Sequence, residues 1–176
     1  LISGKVTNMT IVKDWNSAKS NWQTLLDKVK SAKITVPEAI TAHANLLNEY
    51  FVLIDKIADY SGLALDPEAS SYYMMRSGLY AMPKLTEALD RTNAVGTELL
   101  ALKQADPEQL AVFTSFISLA KASEKEGFEQ LQKTLDSTES VKDELQSLAT
   151  KNLNKLDRMF KLTESEILKK PSFDYD

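Results

Sequence analysis

The sequence predicts an all-α protein: an elongated antiparallel helical bundle of the four-helix-bundle kind, made of about five long helical segments. Apolar residues recur at steps of three and four along most of the chain, the spacing that lines one face of a helix. Five Gly and five Pro in 176 residues are too few for a β protein that turns about every ten residues. The joints between periodic stretches are only a few residues long, so successive helices should pack antiparallel.

The first helix is marked by Val6, Met9, Val12, Trp15, Trp22, Leu26 and Val29 and should end near Lys33. Trp15 and Trp22, seven residues apart, form one stripe that reads as core or interface. The second helix runs from Pro37 to Ser61. Thr35 or Val36 lies near its cap, Pro37 in its first turn, and Glu38 at the positive helix end. Ile40, Ala44, Leu47, Phe51, Ile54 and Ala58 give it an alternating four-three seam, and Gly62 stops it.

Asp66-Pro67 opens the third segment, with Asp66 as cap. Tyr72, Met75, Leu79, Met82, Leu89 and Leu100 share its broad face, and it should reach about Lys103. Pro83 removes a backbone donor inside that pattern and predicts a kink near Leu79–Met82, since periodicity resumes at Leu85. Asp106-Pro107-Glu108 starts the next helix, carried by Leu110, Phe113, Ile117, Ala120, Gly127 and Leu131 to about Leu135. A new start is expected in Ser137-Thr138-Glu139-Ser140, where Ser140 and Asp143 have capping-box spacing. Val141, Leu145, Leu148, Leu156, Met159 and Ile167 mark the last helix, which Pro171 terminates, and Ser172–Asp176 reads as a fraying tail.

Composition narrows the chemistry. Net charge is −4, so no overall basic field holds a phosphate backbone and nucleic acid is not an expected partner. The absence of Cys excludes disulfides, thiolate metal sites and cysteine nucleophiles, and a single His43 excludes any site that needs two imidazoles. Nucleotide-binding glycine loops, the Gly-x-Ser-x-Gly elbow and the His-Glu-x-x-His zinc motif are all missing. Carboxylate pairs such as Glu124/Glu126 and Glu164/Glu166 sit among Lys121, Lys125, Lys161 and Lys169, the pattern of solvated helix faces. The expectation is a chain without enzymatic activity, metal or cofactor. No apolar run reaches the length of a membrane span.

Ser70-Ser71-Tyr72-Tyr73-Met74-Met75-Arg76 is the stretch richest in binding chemistry. Adjacent tyrosines on a helix point about 100° apart, so at least one hydroxyl should meet water or a partner. Arg76 lies one turn beyond Tyr72. Ring, hydroxyls and cation together suit a small ligand with an apolar or aromatic body and a carboxylate. The alternative is a Tyr/Met-lined bundle end with Arg76 paired to an acid such as Asp66 or Glu68. His43, flanking the seam, is a weaker ligand candidate or a hydrogen-bonded packing residue. Asn93 and Asn152 stand where apolar residues are expected and read as register-setting polar groups or a wet pocket.

Over about Trp22 to Leu102 the chain resembles the extracytoplasmic helical sensor regions of bacterial methyl-accepting chemotaxis proteins and related sensor kinases. The residues that carry this are Asp59-Tyr60-Ser61-Gly62-Leu63-Ala64-Leu65-Asp66-Pro67, then Ser71-Tyr72-Tyr73-Met74-Met75, then Met82-Pro83-Lys84-Leu85. Sequences of this kind commonly place Asp after Tyr-Tyr-x-Met, and here the residue is Arg76. The resemblance implies one periplasmic sensor domain over residues 1–176 of a bacterial inner-membrane receptor, anchored by flanking membrane helices outside this sequence. It further implies a homodimer whose signal is a small molecule or a periplasmic binding protein, relayed inward by small helix displacements. Tyr72, Tyr73, Arg76 and His43 are the expected ligand contacts. Two alternatives remain: the same sensor joined to a histidine kinase or diguanylate cyclase, and a structural dimerisation or relay module that binds nothing small.

Overall fold

The computed structural model describes residues 8–138 and 142–169. The expected roles of Val6, the Ser140–Asp143 capping box, Val141, Pro171 and the tail lie outside the described residues. Within them every regular element is a helix, and all-α is its class.

Helix α1 spans Met9–Lys30, and its Asn8 side chain accepts from the Thr10 and Ile11 amides at 3.0 and 3.3 Å. It ends earlier than the apolar pattern predicts. Ser31 caps it and Ala32 turns left-handed at φ +51°, so the reversal begins before Lys33. Helix α2 spans Val36–Ser61. The Glu38 carboxylate accepts from both the Thr35 amide and the Thr35 hydroxyl, at 2.9 and 2.7 Å, which places the cap at Thr35. Gly62 ends α2 at φ +79°, a conformation a Cβ would strain.

A 3₁₀ turn at Leu63–Leu65 follows, and α3 then runs Ala69–Met75. Asp66 therefore does not cap α3, contrary to the reading of Asp66-Pro67 as a start signal. It adopts φ −61°, ψ 120°, the extended shape that a following Pro enforces, and Glu68 takes the cap position. Between α3 and α4 (Met82–Leu102) lies a π-helical segment, Arg76–Ala81. The Pro83 perturbation appears as this widened turn. Pro83 cannot bond the Leu79 carbonyl and its ring crowds it, and longer-range bonding just upstream relieves both.

Lys103, left-handed at φ +53°, closes α4. Asp106 starts α5 (Pro107–Ser137) as predicted, and Gln109 completes a reciprocal capping box with it at 2.8 and 3.0 Å. Helix α6 spans Lys142–Thr163 and runs into a second π segment, Glu164–Leu168.

The chain divides at Asp66/Pro67 into two compact units. The first is an α1–α2 hairpin. Asp14 pairs with Lys56 at 2.6 Å and Asn21 donates to both Glu49 carboxylate oxygens, so the helices run antiparallel. Ile11, Ala18 and Leu25 of α1 and Leu46, Leu53 and Ala58 of α2 are buried. This corrects the predicted seam: of its six residues only Ala58 is buried, while Ile40 and Leu47 are exposed.

The second unit packs α3, its π segment and α4 along α5, with α6 and the second π segment against them. Its core gathers Leu85, Ala88, Leu99, Phe113, Ile117, Ala120, Phe160 and Ile167. Here too the expected face is corrected. Leu79 and Leu100 are exposed, and the buried stripe runs Met75, Ser77, Ala81, Leu85, Ala88, Thr92, Gly96, Leu99. The π segment advances the helix phase, so a stripe extrapolated through it from Tyr72 falls out of register. Asn93 and Asn152 are exposed rather than in a seam, and Thr92 is the buried polar residue of α4, with its hydroxyl bonded to the Ala88 carbonyl.

Candidate functional site

Tyr72, Tyr73 and Arg76 lie where α3 becomes the π segment and runs along α5. Ser77 anchors the approach: its buried hydroxyl donates to the Gly127 carbonyl at 2.9 Å. Gly127 permits that closeness, since a Cβ there would stand 3.0 Å from the Met82 methyl and 3.3 Å from the Ala81 Cβ.

The two tyrosine rings meet edge to face with centroids 5.6 Å apart, an arrangement that aromatic quadrupoles favour. Both are half-buried. Above Tyr73 lies the Lys133 ammonium of α5, 5.2 Å from the ring centroid. Arg76 turns another way. It pairs with Glu126 at 2.9 Å and places its guanidinium 5.0 Å over the Tyr80 ring. The expected acid, Asp66 or Glu68, is thus replaced by Glu126 of α5. Both partners of that pair are more than a third exposed, so it contributes on the order of 0–1 kcal/mol.

The structure therefore brings Tyr72 and Tyr73 together and joins Arg76 to them along one helix, with its charge already balanced. His43 belongs to the hairpin unit. Its Nδ1–H donates to the Ala39 carbonyl at 2.8 Å, and its ring meets the edge of Trp22 at 6.2 Å. That arrangement leaves Nε2 as the nitrogen open to a partner.

Sequence reading missed Lys133, Glu126 and Tyr80. Tyr80 was detectable, four residues beyond Arg76. Lys133 and Glu126 were not, because only the α3–α5 register sets them opposite Tyr73 and Arg76. Among the described residues Lys133 makes no ion pair, which leaves its ammonium, above the Tyr73 ring, available to an anion.

A second charged cluster lies farther along α5. Lys121 pairs with Glu164 at the start of the second π segment and lies 5.4 Å over the Phe160 ring. The Lys121 bond holds the Glu164 carboxyl below its usual range. Glu124 moves the opposite way: burial raises its pKa first, and Asp157 adds to the rise. Among the described residues no group of three or more His, Cys, Asp or Glu is placed to hold a metal ion. Nor is any helix among them long and apolar enough to cross a membrane. No family model, curated protein or solved structure matches this chain.

Proposed function

We propose that this chain is the extracytoplasmic ligand-sensing region of a transmembrane chemoreceptor of the bacterial inner membrane. The intact receptor would be a homodimer. A small molecule, or a periplasmic binding protein carrying one, would favour one of two helix packings and pass that preference inward as a small displacement.

One observation carries the reading. The Asp59–Met75 motif is spent on a single joint: the end of α2, the left-handed Gly62, the 3₁₀ turn and the tyrosine-bearing helix α3. The chemistry presented there, two phenol rings edge to face with an ammonium over Tyr73 and an ion-paired guanidinium one turn on, suits a carboxylate with an aromatic or apolar body. The adjoining π segment supports the relay, because a widened turn has a discrete α-helical alternative.

A thermal-shift screen of the soluble chain against amino acids, organic acids, aromatic acids and polyamines tests this. A carboxylate present at about 100 times its Kd should raise Tm by roughly 5–10 °C. Lys133→Ala and Arg76→Ala should each diminish that shift while leaving the unliganded Tm within a few degrees. A shift of full size in both variants would remove this site from the reading, and silence across the panel would favour the second one. In that second reading the chain is a relay module without a small ligand, favoured by the neutralisation of Arg76 by Glu126.

A further inference from the structure

Helix α6 has an outer side that takes no part in the core or in the tyrosine site. Leu148, Lys151, Lys155, Arg158 and Leu162 recur along it at steps of three and four, so they share one side of the helix, and all five are exposed. The two leucines are 48% and 60% exposed. The inward side is a different one. Leu145, Leu156 and Phe160 lie about 130° round the helix, and Phe160 is buried in the core of the second unit. Among the described residues Lys151, Lys155 and Arg158 make no ion pair. The neighbouring acid, Asp157, is held by Lys161 at 2.6 Å, and Asp143 and Glu144 stand in the first turn, before the stripe begins. Three uncompensated cations thus form a row about 10 Å long, flanked by exposed leucines, on a chain of net charge −4.

We infer that this side of α6 rests on an anionic lipid surface, with the cations on the headgroup phosphates and Leu148 and Leu162 dipping between the headgroups. Size sets this apart from docking on a protein. From Leu148 to Leu162 the helix is about 21 Å long, and one helix face is about 10 Å wide, so the stripe offers roughly 200 Å². Each partner in a stable protein pair contributes ~800 Å². A bilayer makes no such demand, because a single helix lies on it through its own cations and apolar side chains. Each Lys or Arg near an anionic surface adds about fivefold to partition, so three together add about 100-fold. Their long stems let the charges reach the phosphates while the leucines meet the acyl boundary. Held beside a membrane, as proposed above, the stripe would meet lipid at high effective concentration. The inference itself stands on α6 alone and does not depend on the sensor reading or on what the tyrosine site binds.

Co-sedimentation of the whole chain with vesicles tests it. Vesicles of equal phosphatidylglycerol and phosphatidylcholine should bind the chain at about 50 mM salt, and about 500 mM salt should release it. Pure phosphatidylcholine should bind little. Lys151→Gln, Lys155→Gln and Arg158→Gln together should weaken binding about 30-fold or more, with the helical circular dichroism preserved. Lys13→Gln, Lys19→Gln and Lys30→Gln together make the same change in charge on the exposed surface of α1, and should weaken it less than about threefold. Leu148→Gln with Leu162→Gln should cost several-fold even though every charge is kept. Failure to bind the anionic vesicles would overturn the inference, as would equal losses in the α1 and α6 charge variants. Binding that salt does not disturb would also overturn it. Salt-sensitive binding to polyglutamate but not to vesicles would assign the stripe to an acidic protein instead.

Discussion

At the scale of single residues the protein spends its polar chemistry on joints and ends. The Glu38 carboxyl lies below its usual pKa, first because the Thr35 hydroxyl donates to it and then because the Thr35 amide does. Glu124 is the opposite case, pushed up by burial and then by Asp157. Its folded form holds a proton more tightly than its unfolded form. The stability tied to that proton is therefore present below the ordinary value of about 4.5 and is lost as pH rises through the folded pKa. Glu124→Gln should raise Tm at pH 7 relative to the parent chain, with the gain vanishing by about pH 4, as thermal unfolding at the two pH values would show. Glu38 has the reverse sign: its contribution is present above the ordinary carboxylate value and lost as pH falls through the depressed one.

At the scale of elements, two glycines separate conformational need from packing. Gly62 ends α2 at φ +79°, whereas Gly78 sits in the π segment with negative φ and open space where a Cβ would go. Gly62→Ala should destabilise by about 1 kcal/mol, and Gly78→Ala should stabilise by about 0.4–1 kcal/mol through the unfolded chain, both measurable by urea unfolding. The same π segment explains why reading α3–α4 as one regular helix misplaces its buried face. Helix starts at Thr35 and Asp106 were legible because a cap needs only the next three residues. The Asp66 start was not, because the 3₁₀ turn and Pro67 together hold that residue extended.

At the scale of the whole molecule, the described chain keeps two separate cores. The buried cluster of the second unit centres on Phe113, at 1% exposure, and the hairpin buries its own short row. Phe113→Ala should cost about 3–5 kcal/mol, read as faster amide hydrogen exchange across α4, α5 and the Phe160 end of α6. Exchange within α1 and α2 should stay unchanged. Equal acceleration in both units would mean that one cooperative fold spans them. The tyrosine site belongs to the second unit and His43 to the first, so a variant that loosens the Phe113 core tests them separately.

The sequence by itself determined the helical class, the approximate extent of the long segments and the adjacency of Tyr72 and Tyr73 on one helix. Helix periodicity and capping act over three or four neighbouring residues and are complete in the local chain. It also marked Trp15 and Trp22 as one stripe. Only the tertiary structure decided that α2 buries Leu46 and Leu53 rather than its regular seam, that Arg76 pairs with Glu126, and that Lys133 stands over Tyr73. Each of these depends on the register at which another helix arrives, and that register is fixed by the fit of side chains up to 60 residues apart along the chain, which no local spacing records.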